Sequence, residues 1–146
     1  MASQGMIGYK ADIQYGDGAT PEVFTSVFEV TSIDPSNPQF DEVEFTHLQS
    51  PNRTREFKPT FIDMGELACE ANFVPSDPTH QQIFTDRASG IVRNWRYRIK
   101  DNISAAVLRT ATFPGYVKSA KEGPVTTTDK IALTFSVRIS GAVTYS

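Results

Sequence analysis

The chain closes on Lys130-Ile131-Ala132-Leu133-Thr134-Phe135-Ser136-Val137-Arg138-Ile139-Ser140-Gly141-Ala142-Val143-Thr144-Tyr145-Ser146, and this stretch decides the fold. Every second residue from Ile131 to Tyr145 is apolar or Gly, and the residues between are Ala, Thr, Ser or Arg. A period of two over that length predicts a β-strand with one face in a core and one face wet. It is far longer than the usual strand of about 5–6 residues. A long strand with open backbone edges is a pairing hazard unless something is meant to pair with it. The expectation is a protein built for assembly rather than catalysis.

The rest of the chain reads the same way. Ile7 to Gln14 predicts a first strand, and Tyr15-Gly16-Asp17-Gly18-Ala19-Thr20-Pro21 has turn chemistry. Val23 to Ile33, Phe40 to Leu48 and Glu66 to Phe73 are rich in β-formers or alternate. Ile91 to Lys100 follows, with Ile91, Arg93, Trp95, Tyr97 and Ile99 on one face. Ala105 to Phe113 and Tyr116 to Ala120 are expected as two strands separated by Pro114-Gly115. One helix interrupts the series at about 77–89. Ser76 or Asp77 can cap it, Pro78 suits its first turn, and Gly90 fits a left-handed cap. Its apolar stripe is narrow: Ile83, Phe84 and Ala88. The sum is a mainly β fold, a β-sandwich or partly closed barrel, with one flanking helix.

Gln49 to Pro59 is polar, bounded by prolines and without a core-facing period. It predicts a long projecting loop or hairpin at about 49–59, either a docking element or a solvated loop.

At 146 residues the chain is expected to form one domain. A formal net charge of −3 does not suit a nonspecific nucleic-acid binder. The single cysteine, Cys69, is in phase with Leu67, Ala71 and Phe73 and reads as a small buried hydrophobe. No run has the length of a membrane span, and the first residues do not form a signal peptide. His47 and His80 lack further ligands at metal spacing and read as surface or loop residues. Asp41, Glu42 and Glu44 read as a solvated strand face rather than a catalytic carboxylate pair. Arg93-Asn94-Trp95-Arg96-Tyr97-Arg98 mixes aromatics and bases, but the phase turns Trp95 and Tyr97 away from Arg96 and Arg98, which argues against base stacking. No cofactor and no enzymatic activity are expected.

Several segments together resemble the tail tube (major tail) proteins of lambda-like, long non-contractile-tailed bacteriophages. They are Thr20-Pro21-Glu22-Val23-Phe24-Thr25, Val27-Phe28-Glu29-Val30-Thr31-Ser32-Ile33, Asp41-Glu42-Val43-Glu44-Phe45-Thr46-His47-Leu48-Gln49-Ser50 and Asp63-Met64-Gly65-Glu66-Leu67. Asn72-Phe73-Val74-Pro75-Ser76-Asp77-Pro78, Phe113-Pro114-Gly115-Tyr116-Val117-Lys118-Ser119 and Ser140-Gly141-Ala142-Val143-Thr144 complete the set. Some relatives add an immunoglobulin-like domain, and residues 1–146 are expected to be the tail-tube domain alone. The resemblance implies stacked hexameric rings that form a hollow tail, a tape-measure protein inside, and terminator or tip proteins at its ends. DNA passes through without sequence-specific binding, and no membrane is involved. The place of such a protein is the virion tail, and the host cytoplasm during assembly.

Under that reading the wet faces of the strands at 66–73 and 130–145 line the lumen, with Glu66, Glu70, Asn72, Thr134, Ser136 and Arg138 as candidates. An acid from a neighbouring subunit is expected beside Arg138. The loop Ser50, Pro51, Asn52, Arg53, Thr54, Arg55, Glu56 is the candidate ring-stacking element, with Arg53, Arg55 and Glu56 in salt-linked contacts. Residues 1–10 are expected to add contacts to an adjacent ring. The alternatives are the tube of a contractile tail or secretion system, and a carbohydrate-binding β-sandwich.

Overall fold

The structure, a computed structural model, describes residues 5–146. Its strands are β1 (Asp12–Gly16), β2 (Phe24–Ser26), β3 (Val30–Asp34), β4 (Gln39–Glu44), β5 (Phe57–Asp63), β6 (Glu66–Asn72), β7 (Arg93–Lys100), β8 (Val107–Glu122), β9 (Ala132–Ile139) and β10 (Thr144–Tyr145). The helix α1 is Pro78–Ser89. An 8-stranded sheet runs β2-β1-β7-β8-β9-β6-β3, with β10 also on β8; β4 and β5 form a separate 2-stranded sheet. The fold is mainly β, a sandwich with a flanking helix, and the sheet does not close into a barrel. The strand next to one end, β1, lies against the far end strand β3 without a ladder between them. That leaves an open seam.

β8 is the spine. Its first half pairs with β7 and β10, its second with β9. The sequence pattern places a break at Pro114-Gly115, yet the strand runs through. The Pro114 carbonyl accepts from the Ser140 N–H at 2.9 Å, so the side of Pro114 that lacks an N–H faces the junction between β9 and β10, where no ladder bond is required. Gly115 is needed for close approach: a Cβ there would lie 2.8 Å from the Arg138 carbonyl oxygen. The closing stretch is likewise not one strand. It breaks at Gly141, whose φ of 139° suits glycine, and β9 and β10 lie on the same edge of β8.

The 23–33 segment also splits. Glu29 takes a left-handed φ of 54°, and the chain crosses from β2, at one end of the sheet, to β3 at the other. The crossover is pinned by α1, because Thr79 Oγ1 accepts from Phe28 N–H and His80 Nε2 donates to the Phe28 carbonyl at 2.7 Å. His80 is therefore not a surface residue. It is fully buried, and its Nδ1 accepts from the Val74 N–H. His47 is exposed, as expected. The first strand starts later than its pattern suggests, at Asp12, because Lys10 takes a left-handed φ of 70°.

The helix forms where capping chemistry places it. The Asp77 carboxylate accepts from the Thr79 and His80 N–H groups, and Gly90 closes the end in the left-handed conformation. Beneath it lies the core, in which Ile13, Leu67, Trp95, Phe113, Leu133, Phe135 and Val137 are almost wholly buried. Each such side chain contributes about 1.5–3 kcal/mol of burial. Cys69 belongs to this core, and burial pushes its thiol far above the ordinary range.

The helix carries one buried charge. Asp86 is 1% exposed and takes two hydrogen bonds from Arg93, at 2.9 and 3.2 Å, and one from Gln82 at 2.7 Å. Removing one partner of such a pair strands the other. Asp86→Ala is expected to lower unfolding free energy by about 3–5 kcal/mol, read by urea denaturation. A loss below about 1 kcal/mol would show that the pair does not anchor the helix.

Candidate assembly surfaces

The β4–β5 hairpin is the first surface. Every residue of both strands is exposed. Its register pairs Phe40 with Ile62, Val43 with Lys58, Glu42 with Pro59 and Glu44 with Phe57. Phe40, Ile62, Pro59 and Phe57 therefore occupy one face, with Glu42 and Glu44, and Val43, Phe45 and Phe61 the other. Phe61 is 84% exposed and Leu48, at the tip, is fully exposed. A strand pair apolar on both faces is the pattern of strands buried on both sides, and an isolated two-stranded hairpin is at best marginally stable in water. Exposed apolar surface of this extent marks an interaction site.

The segment at 49–59 is thus the upper part of a longer projecting hairpin, and Phe57 to Pro59 belong to β5 rather than to a loop. Pro51–Arg53 form a single 3-10 turn, in which Asn52 and Arg53 take positive φ. Ser50 Oγ donates to Glu56 Oε2 at 2.7 Å and accepts from the His47 N–H, and His47 Nε2 stands 3.4 Å from the same carboxylate. Glu56 therefore closes the tip of its own hairpin, while its side chain stays partly exposed. Thr54, Arg53 and Arg55 are exposed.

The second surface is the wet face of β8, β9 and β6. The register sets Glu66 opposite Arg138 and Glu70 opposite Thr134, while Leu67, Cys69 and Ala71 point the other way into the core. Glu66, Glu70, Thr134, Ser136, Arg138 and Asn72 thus share one face, with Ser136 bonded to Ser119 across the strands. The acid beside Arg138 comes from its own chain: Asp63 Oδ1 lies 2.9 Å from Arg138 Nη2. The Gly65 N–H and Arg138 together hold the Asp63 carboxyl below its usual value. Lys118, which the sequence reading did not single out, reaches Glu66 at 2.9 Å. Alternation from the inward Val117 already turns Lys118 toward that face, and the bulge after it brings Ser119 to the same side.

The basic strand β7 meets a local acid too. Asp12 on β1 binds Arg98 at 2.6 Å and Lys100 at 2.9 Å, while Arg96 stacks on Phe24 at 4.0 Å. Trp95 is buried against Tyr15 and Phe135, so the chain's one tryptophan offers no platform for a base or a sugar. Among the described residues no group of three or more His, Cys, Asp or Glu is placed to hold a metal, and no helix is long and apolar enough to cross a membrane.

Residues 8–146 match the family model for the lambda phage tail tube protein, and the chain belongs to that family. Solved structures share its fold. A chain of the native gene transfer agent virion aligns with a TM-score of 0.73 at 12% identity, covering 97% of this chain and 99% of that one. The SPP1 tail tube gives 0.72 at 12% identity over 97% and 78% of the two chains. A chain of the anti-feeding prophage baseplate gives 0.75 at 9% identity over 99% and 97%. No curated protein matches the chain significantly. Sequence reading and family membership therefore agree on a tail tube protein.

The Asp12 cluster supplies a pH signature. Burial raises the Asp12 carboxyl, but bonds and charge from Arg98 and Lys100 outweigh it and hold its pKa below the ordinary carboxylate value. A folded-state pKa depressed in this way stabilises above the unfolded value and is lost as pH falls through the folded one. The stability advantage of the natural chain over Asp12→Asn is therefore expected to be complete above about pH 5 and to vanish progressively below about pH 4. Denaturant titrations of both chains across that window check it. A pH-independent difference would contradict it.

Proposed function

We propose that this chain is the repeating subunit of a hollow virion tail, assembling as stacked hexameric rings around a tape-measure protein and later passing DNA. The observation that carries the reading is the β4–β5 hairpin, apolar on both faces and exposed at every residue of its two strands, in a member of the tail tube family. Open edges at β2, β3 and β10 support it, since pairing with neighbours satisfies strand edges that would be a hazard in isolation. Terminator or tip proteins complete the ends, and assembly takes place in the host cytoplasm. The protein's role is structural, without catalysis.

The bore is formed by the β6–β9 wet face, with Glu66, Glu70, Thr134, Ser136 and Arg138 toward water and DNA and Asn72 at the end of the same face, its Oδ1 buried. The bases on this face already hold acids, Lys118 with Glu66 and Arg138 with Asp63. Each unpaired base would add phosphate affinity through counterion release. A conduit needs the opposite, a polar wall that lets DNA slide. Chains of contractile injection systems superimpose equally well, among them one from an extracellular sheath-tube complex at a TM-score of 0.71, so the fold alone also suits a contractile tube. The family match favours the non-contractile one.

The hairpin tip stacks rings through Arg53 and Arg55. Deleting residues 51–57 is expected to abolish tubes in negative-stain micrographs while leaving a cooperatively folding domain by circular dichroism. Tubes at normal yield would reject the stacking role.

For the bore, Glu66→Lys with Glu70→Lys is expected to slow DNA ejection from reconstituted particles by at least about tenfold at low salt, with relief as salt rises. An ejection rate equal to that of the natural chain would move the lumen to another face.

A further inference from the structure

Val27, Phe28 and Glu29 join β2 to β3, and each is tied to a different element. Val27 is buried, and its N–H donates to the Ile13 carbonyl on β1 at 3.0 Å. The Glu29 carbonyl accepts from the Asn72 N–H at the end of β6, also at 3.0 Å. Phe28, between them, is held by the first turn of α1. Its N–H donates to Thr79 Oγ1 at 3.1 Å, and its carbonyl accepts from His80 Nε2 at 2.7 Å. Both of those side chains are themselves fixed. The Thr79 hydroxyl donates to the capping carboxylate of Asp77. The His80 ring takes the Val74 N–H on Nδ1, which puts the ring proton on Nε2, and it stacks on Phe73 with 6.1 Å between ring centres. The helix does not need this grip to stay attached. It has Ile83 in the core, the Asp86–Arg93 pair, and Arg87 on the Ala120 carbonyl at 2.6 Å.

We propose that Thr79 and His80 are positioning residues for ring closure: by holding both backbone groups of Phe28 they fix the angle between the two free edges of the sheet. This rests on the tube reading above and names the groups that set its geometry. β2 and β3 are the end strands of the 8-stranded sheet, so each offers an outer backbone edge to a neighbour. Both edges leave from one three-residue link. A closed ring needs the two contacts of every subunit at one fixed angle, because an angular error recurs at each interface and the ring then fails to close. Glu29 supports the assignment. Its left-handed φ of 54° is uncommon for a residue with a Cβ. The bend is therefore imposed by the bonds on either side of it rather than chosen by the local sequence.

The test separates the two bonds of His80 in the full chain. A glutamine amide reaches the place of Nε2, and an asparagine amide that of Nδ1. His80→Gln thus keeps the donor to Phe28, while His80→Asn keeps only the acceptor for Val74. Thr79→Val removes the acceptor for the Phe28 N–H, and Thr79→Ser keeps it. Each variant is checked for a folded domain by circular dichroism, and its urea midpoint is recorded. His80→Asn and Thr79→Val are expected to raise the concentration needed for tubes by at least about tenfold, with open arcs in negative stain. His80→Gln and Thr79→Ser are expected to give closed rings within about threefold of the natural concentration. Equal losses from Gln and Asn, or assembly that simply tracks the urea midpoint, would reduce the grip to a structural role and overturn the proposal. Closed rings at the natural concentration from His80→Asn or Thr79→Val would overturn it too, while the tube function stands. Where His80→Asn does not fold, the Thr79 pair decides. If the natural chain itself forms no tubes, the functional reading fails first.

Discussion

A two-stranded ribbon has no interior, and that constraint governs this molecule. Phe40, Phe57 and Ile62 on one face of β4–β5, with Val43, Phe45 and Phe61 on the other, cannot be buried by the hairpin that carries them. The body does not cover them either, because every residue of both strands is exposed. Apolar area left in water costs roughly 25 cal/mol for each Å², so another molecule has to supply the cover. The seam between β1 and β3 is the same problem in reverse, a sheet that curls almost to closure and stops. Deficits of opposite shape on one chain make the isolated subunit an incomplete object.

The body is built to hold these surfaces still. β8 pairs with β7 along its first half and with β9 along its second, and β9 and β10 share one of its edges. The crossover from β2 to β3 is fixed by His80 and Thr79, and α1 is locked to β7 by the buried pair of Asp86 and Arg93. Polar groups inside the fold are thus spent on position rather than on chemistry. On the wet faces, acids of the same chain meet several of the bases, with Asp12 on Arg98 and Lys100, Glu66 on Lys118 and Asp63 on Arg138. Internal neutralisation is consistent with a wall along which a polyanion slides.

Period-two alternation made β6, β7 and β9 legible, and the capping residues Asp77, Pro78 and Gly90 made α1 legible, because these signals are local. The inward phase of Trp95 and Cys69 followed from the same pattern. What stayed hidden depends on distant partners. Pro114-Gly115 reads as a breaker unless the gap between β9 and β10 is known, and Val23 to Ile33 reads as one strand unless Glu29 is seen to turn. A histidine in a helix reads as exposed until a carbonyl 52 residues away is found to accept from it. The candidate bore residues gather on one face as their alternation requires. The partners of Glu66 and Arg138, by contrast, come from Lys118 on β8 and from Asp63 at the end of β5, pairings between strands that no pattern within one strand shows.

The central claim is that copies of this chain complete one another. Electron microscopy of the purified full chain, imaged in negative stain over a rising concentration series, addresses it most directly. Rings and hollow tubes of uniform width are predicted, growing in length and number with concentration. A monodisperse, unpolymerised monomer at every concentration would contradict the account.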